Sequence, residues 1–280
     1  MTYKTILLHL HDLKRAQRLL EVAVPLARRM DAHLIGLAVL PAIIIIPGMD
    51  SGGTSVIIED HRDAYRGEMA KLKAVFNEVT KGQSLKTEWR EDDANASTAA
   101  DVIIKHGRSV DLIIASQKKT DWNYSSMLEE PERIAIESGR PVLLVPNKGT
   151  VTMPPKRVTV AWNDRREAAR AVFDALPLLK GTDEVNIVWV NPEREPFAAG
   201  DLPGAELAVT LNRHGVKCQV SQASALGVDV GAELLRQARV FGSDLLVMGA
   251  YGHSRTREFL LGGASRDALA KMDRLVLMSH

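Results

Sequence analysis

Cysteine is almost absent from this chain of 280 residues. Cys218 stands alone, which excludes an intramolecular disulfide framework and a cysteine-based zinc site and fits a reducing compartment. Net charge is almost absent too: 36 Lys and Arg against 35 Asp and Glu leave +1, so neither nucleic acid nor a membrane surface is expected as a partner. No apolar run approaches the ~18 residues of a membrane span, and no charged segment followed by an apolar core opens the chain. The expectation is a soluble, cytoplasmic protein. Missing as well are the G-x4-GK[ST] phosphate loop and the G-x-G-x-x-G dinucleotide fingerprint.

What is present is an ordinary globular balance, 45% hydrophobic and 25% charged, with length for one large domain or two ordinary ones. The two halves repeat each other. A shift of 152 lays Lys4 on Lys156, Asp12 on Asp164 and Pro25 on Pro177, whereas a shift of 133 lays Asp111 on Asp244 and Pro141 on Arg274. The first half therefore carries 19 extra residues in its middle, and the apolar stretch from Pro41 to Val56 is their expected place, as core packing or as a flap. Each half alternates short apolar runs with helical periodicity. Strands are expected near Thr5–Leu10, Leu34–Leu40, Leu85–Arg90, Leu112–Ala115 and Val142–Val145, and again near Val158–Trp162, Glu184–Val190, Val216–Ser221, Leu245–Met248 and Leu275–Met278. That order implies βαβ units and an α/β fold, two tandem doubly wound five-stranded parallel-sheet domains. Val142–Val145 and Leu275–Met278 are expected at the edges of their sheets, where exposed backbone donors and acceptors need covering.

The segment with the most chemistry runs from Asp244 to Arg266. The apolar run Leu245–Met248 leads into Gly249 and Gly252, then His253, Ser254 and Arg255, and later Gly262, Gly263 and Ser265 before a helix. Glycines at a strand end let a backbone come close to a ligand, and N–H groups near a helix start favour an anion. Ligands of an open parallel sheet bind at strand carboxyl ends where the strand order reverses, which brings in Trp162 and Asn163. Taken by themselves the residues leave alternatives open: a strand-end turn without ligand, Arg255 and Arg257 in solvent, Ser265 as a helix cap. The matching loop of the first half, Ser116 to Glu130, contains no glycine, so the same mode of binding is expected to be lost there; Lys118 and Lys119 belong to a solvated loop or attract an anion differently. His9 and His11 alternate along a strand beside Asp12 and could begin a metal site, but no further ligand follows from spacing. Cys218 reads as a small apolar residue of a buried strand.

The glycine spacing G-x2-G-x9-G, followed by Ser265, resembles the nucleotide-binding motif of the universal stress protein family, and the resemblance extends over nearly the whole chain. It implies two tandem domains of the adenine nucleotide alpha hydrolase-like, Rossmann-like kind: residues 1–146, a Pro- and Gly-rich linker at 147–155, and residues 156–280. It implies ATP or another adenine nucleotide, with or without magnesium, in the second domain, held by Ala161, Trp162, Asn163, Val190, Met248, Gly249, Gly252, His253, Ser254, Arg255, Gly262, Gly263 and Ser265. Asn163 stands where the family commonly has Asp, and Gly263 where it usually has Ser or Thr. The implied role is that of a stress-response sensor or regulator. The resemblance further implies an intramolecular pseudo-dimer of the two halves, with Val142–Val145 and Leu275–Met278 paired across a pseudo-twofold axis, and a homodimer and an unidentified protein partner are further expectations. No general base and no metal-holding carboxylate pair accompany the glycines, so an enzyme is not expected. A pairing module without nucleotide and, after it, an ATP-using enzyme on the same fold are the alternatives.

Overall fold

The computed structural model describes residues 2–42, 54–95, 97–118, 131–191, 202–250 and 263–280. The first half is built of β1 (Thr5–His9), α1 (Leu13–Met30), β2 (His33–Leu40), α2 (Thr54–Thr80), β3 (Lys86–Asp93), α3 (Ala99–Gly107), β4 (Leu112–Ser116), α4 (Pro131–Glu137) and β5 (Val142–Val145). The second half repeats it: β6 (Arg157–Ala161), α5 (Arg166–Leu179), β7 (Glu184–Val190), α6 (Ala205–Arg213), β8 (Cys218–Ala223), α7 (Val230–Phe241), β9 (Leu245–Gly249), α8 (Gly263–Lys271) and β10 (Leu275–Ser279).

All the strands join one 10-stranded sheet in the order β3-β2-β1-β4-β5-β10-β9-β6-β7-β8. Pairing is parallel within each half and antiparallel at the single junction between them, where Val142 faces Met278 and Leu144 faces Val276. The two uncharged edges thus cover each other, as expected of them. Helices lie on both faces, so a central strand must be apolar on both sides: Ile6 and Leu8 enter one core, Leu7 the other. One core holds α1, α2, α5 and α6, the other α3, α4, α7 and α8, and both run across the junction. Tyr3 Oη donates to the carbonyl of Asp174 at 2.6 Å, tying the first half to the second, and Ser279 Oγ of β10 donates to the Asp174 carboxylate at 2.6 Å.

The repeated residues have repeated jobs. Asp111 Oδ2 accepts from the backbone N–H groups of Lys4 and Thr5, at 2.7 and 2.9 Å. Its counterpart Asp244 Oδ2 accepts from those of Lys156 and Arg157, at 2.7 and 3.1 Å. Each carboxylate staples the start of one strand to its neighbour. Pro25 and Pro177 both lie inside their helices. The linker is pinned as well: Arg18 donates to the carbonyls of Pro146 and Gly149, and a Cβ on Gly149 would sit 2.1 Å from the Asp273 carbonyl oxygen.

Three expectations need correction. The extra residues of the first half belong to a helix: α2 has 27 residues and α6 has 9, while the connections before them, Leu40 to Thr54 and Val190 to Ala205, are nearly equal. The stretch from 43 to 53 itself lies outside the described residues. The third strand of each half begins and ends later than its apolar pattern, because its register is set by backbone pairing to β2 or β7 and its outer edge is free of other strands. For that reason Cys218 opens an edge strand half-buried, and burial pushes its thiol up to about 11, which agrees with an unreactive small residue.

Candidate functional site

The strand order reverses between β9 and β6, with β7 on the far side of β6, so the carboxyl ends of these three strands converge. Ala161 ends β6, Val190 ends β7 and Gly249 ends β9; Ala161, Trp162, Asn163 and Val190 are all half-buried. Trp162 N–H still donates to Val188 O at 2.9 Å, so the sheet runs one residue past the strand. Beyond it, Asp164 and, on β7, Asn191 take left-handed φ of 55° and 56°, which short polar side chains tolerate and which turns the chain over the sheet end. Asn191 is buried, and its Oδ1 accepts from Ala225 N–H at 2.7 Å. Asn163 Oδ1 accepts from Arg165 N–H at 3.2 Å, a turn leading into α5. Met248 is buried, and Ser265 is buried in the first turn of α8, which Gly263 opens. Gly252, His253, Ser254, Arg255 and Gly262 lie outside the described residues, as does Lys119.

Gly249 serves a close approach within the protein itself. A Cβ there would meet Glu167 C at 2.6 Å, Ala168 N at 2.7 Å and Glu167 O at 2.8 Å, so the glycine admits the backbone of α5. The carboxylate of Glu167 is buried beside this contact and bonds to Arg166 Nε at 2.7 Å. Burial opposes its charge, but the Arg166 hydrogen bond, its own amide and the nearby His280 outweigh that and hold it below the ordinary range.

The equivalent crevice of the first half is filled by side chains. His9 and His11, in the positions of Ala161 and Asn163, stack with ring centroids 4.8 Å apart. Arg15, in the position of Glu167, is 7% exposed and lies among strand ends. Its Nη1 donates to the Gln117 carbonyl at 3.0 Å and to Asn147 Oδ1 at 2.9 Å, and its Nε to Asp12 Oδ2 at 3.3 Å. Its Nη2 lies 2.7 Å from His11 Nε2, and because guanidinium only donates, that nitrogen is the acceptor. His9 is 2% exposed and its Nε2 meets no hydrogen-bond partner among the described residues. Among those residues no group of three His, Cys, Asp or Glu could hold a metal, and a guanidinium occupies the place beside Asp12 where one would sit. Sequence reasoning flagged the histidines and missed Arg15; its spacing of three from Asp12 on a helix was the available signal.

Burial first, then His11 and Arg15, keep His9 well below its usual 6.5. An unfolded chain binds that proton below about pH 6.5 and the native state does not, so stability must fall as pH falls through 6.5 towards the native value. The limiting slope is about 1.4 kcal/mol per pH unit. Urea unfolding between pH 7.5 and 5 should show this acid limb, and His9→Phe, which keeps a stacked ring, should flatten it. A wild-type stability that stays level over that range would contradict the assignment. The limb is separate from that of Asp101, which the Arg133 and Thr98 bonds hold at about 2 and which matters only below its ordinary 3.8.

No protein-family model and no curated protein matches the chain. Among solved structures, a universal stress protein from Archaeoglobus fulgidus DSM 4304 superimposes with a TM-score of 0.74 at 16% identity, covering 98% of this chain and 95% of that one. The chain has the universal stress protein fold. A Pseudomonas aeruginosa PAO1 protein of unknown function is similar over 99% of this chain and 92% of its own, with a TM-score of 0.54 at 14% identity. The universal stress protein from A. fulgidus matches both halves in one chain, so the duplication is a property of that structure as well as of this one. Among the described residues no helix is long and apolar enough to cross a membrane.

Proposed function

We propose that this chain is a cytoplasmic tandem universal stress protein that binds ATP or a related adenine nucleotide in its second half and acts as a stress-response sensor or regulator. The observation that supports the reading is the asymmetry of the two crevices. At the β6/β9 switch point Ala161, Trp162 and Val190 remain partly open to solvent, whereas their counterparts at the β1/β4 switch point, His9, Leu10 and Val39, are buried. Only the second half pairs an open crevice with glycines before a helix. In this reading the strand ends take the adenine and ribose, and Gly252, His253, Ser254, Arg255, Gly262, Gly263 and Ser265 face the phosphates, with or without magnesium.

Calorimetric titration with ATP tests it. Wild type should bind one equivalent, and Gly262→Val should lose most of the affinity, because a branched side chain beside the start of α8 obstructs the phosphates. Equal binding by Gly262→Val would remove the glycine mechanism. The alternative of a pairing module without nucleotide draws on one observation, that Asn163 Oδ1 is already used by Arg165 N–H; absence of ATP and adenosine binding to wild type would favour it. Turnover should be slow or absent, since the sequence sets no metal-holding carboxylate pair beside the glycines and offers His253 alone as a proton acceptor. Phosphate release from ATP and magnesium that vanishes in His253→Ala would instead indicate an enzyme.

A further inference from the structure

We propose that Gln117 makes the first half a positioning element for α8, the helix whose first turn carries Ser265; the consequence for ligand rests on the nucleotide reading above. A helix leaves its last carbonyls without partners. In α8 two of these, Leu269 O and Ala270 O, accept from Gln117 Nε2 at 2.8 and 3.2 Å, from a residue at the end of β4 in the other half. Gln117 is buried, and its remaining polar atoms are all committed. Oε1 accepts from Asn147 N–H at 2.9 Å, the backbone N–H donates to Val145 O at 2.8 Å, and the carbonyl accepts from Arg15 at 3.0 Å. The amide orientation follows from these neighbours, carbonyls on one side and an N–H on the other.

The plug of the first crevice is therefore continuous with the clamp on α8: Arg15 donates to the Gln117 carbonyl and to Asn147 Oδ1, Asn147 N–H donates to Gln117 Oε1, and Gln117 Nε2 donates to the helix. At its other end α8 is pressed on α7, where a Cβ on Gly231 would lie 2.2 Å from Ala264 O and 2.8 Å from Ala268 N. A nine-residue helix spans roughly 13 Å and moves as a unit, so a displacement at Leu269 reaches Ser265. The first half thereby sets the position of the helix on which the proposed site of the second half depends.

The test separates the clamp from the ligand reading. Gln117→Glu keeps the acceptor for Asn147 and removes both donors; Gln117→Met removes the donors without adding charge, for the case in which Glu prevents folding; Gln117→Lys restores a donor to the carbonyls. Amide hydrogen exchange of residues 264–271 in the ligand-free protein should speed up in the Glu and Met variants relative to α3, and return towards wild type in Lys. Titration should then show ATP affinity about fivefold or more weaker in Glu and Met, with adenosine affinity unchanged, and recovery in Lys. Unchanged exchange in α8 would overturn the clamp. Faster exchange with unchanged ATP affinity, or with equal losses for ATP and adenosine, would overturn its role in positioning the phosphate end. A wild-type protein that binds neither ligand would refute the nucleotide reading, and exchange alone would then decide the clamp.

Discussion

Replacing Arg15 with alanine should cost about 3 kcal/mol or more of folding stability, because removal of one partner from a buried, hydrogen-bonded charge network leaves the others unsatisfied. Among the described residues the guanidinium meets four groups: the Asp12 carboxylate, the His11 ring, the Gln117 carbonyl and the Asn147 side chain. The ion pair with Asp12 is 8% and 14% exposed at its two side chains, so solvent cannot replace the lost bonds without entering the crevice. Asp12 keeps its bond to Lys14 N–H, at 2.8 Å, and so still caps α1; the loss is concentrated in the crevice. Arg15→Lys should recover only part of it, since an ammonium cannot reproduce the fork that reaches Gln117 and Asn147 together. Because Arg15 is one cause of the low His9 value, Arg15→Ala should also make the acid limb of stability shallower. Urea unfolding at pH 7.5 and 5.5 reads both effects. A loss below about 1 kcal/mol would place Arg15 with surface ion pairs and refute the network.

Much of the fold was legible in the sequence because the duplication writes the same constraint twice. Asp111 and Asp244 staple equivalent strand starts, Pro25 and Pro177 fall at equivalent turns of equivalent helices, and the uncharged runs at 142–145 and 275–278 are edges that need covering. A shift between repeats counts extra residues without locating them, and the conspicuous apolar run at 42–46 drew attention away from the helix that contains them. In β3 the sequence Lys-Thr-Glu-Trp-Arg-Glu-Asp-Asp has little apolar pattern; the strand is extended because Leu37 to Leu40 pair with Arg90 to Asp93 through backbone groups. Arg15 was not legible because the groups that bury it lie 102 and 132 residues away. A charged side chain in an amphipathic helix looks solvated until its distant partners are known.

The same limit governs Gly249, whose approach to the backbone of α5 the sequence does not show. Gly249→Ala should therefore destabilise the protein in the absence of any nucleotide. The added methyl would need to occupy space 2.6 to 2.8 Å from the backbone of Glu167 and Ala168, closer than real Cβ contacts come, and backbone atoms cannot rotate away as a flexible side chain could. Either α5 lifts from β9, exposing the Ala168 and Ala171 side of its interface, or the end of β9 shifts against β6 and β10. Overpacking of this kind costs about 1–3 kcal/mol and at times more, and a backbone-to-backbone clash belongs at the upper end. The φ of Gly249 is not in the left-handed region, so the penalty is one of space alone. Glu167 should respond as well, since its charge depends on the position of the α5 start relative to Arg166 and His280. Thermal and urea unfolding of ligand-free Gly249→Ala and wild type decides the matter. Unchanged stability together with weaker ATP binding would return Gly249 to the ligand; a large loss of stability would show that the first glycine of the motif holds the sheet to its helix, leaving phosphate contact to the residues that follow it.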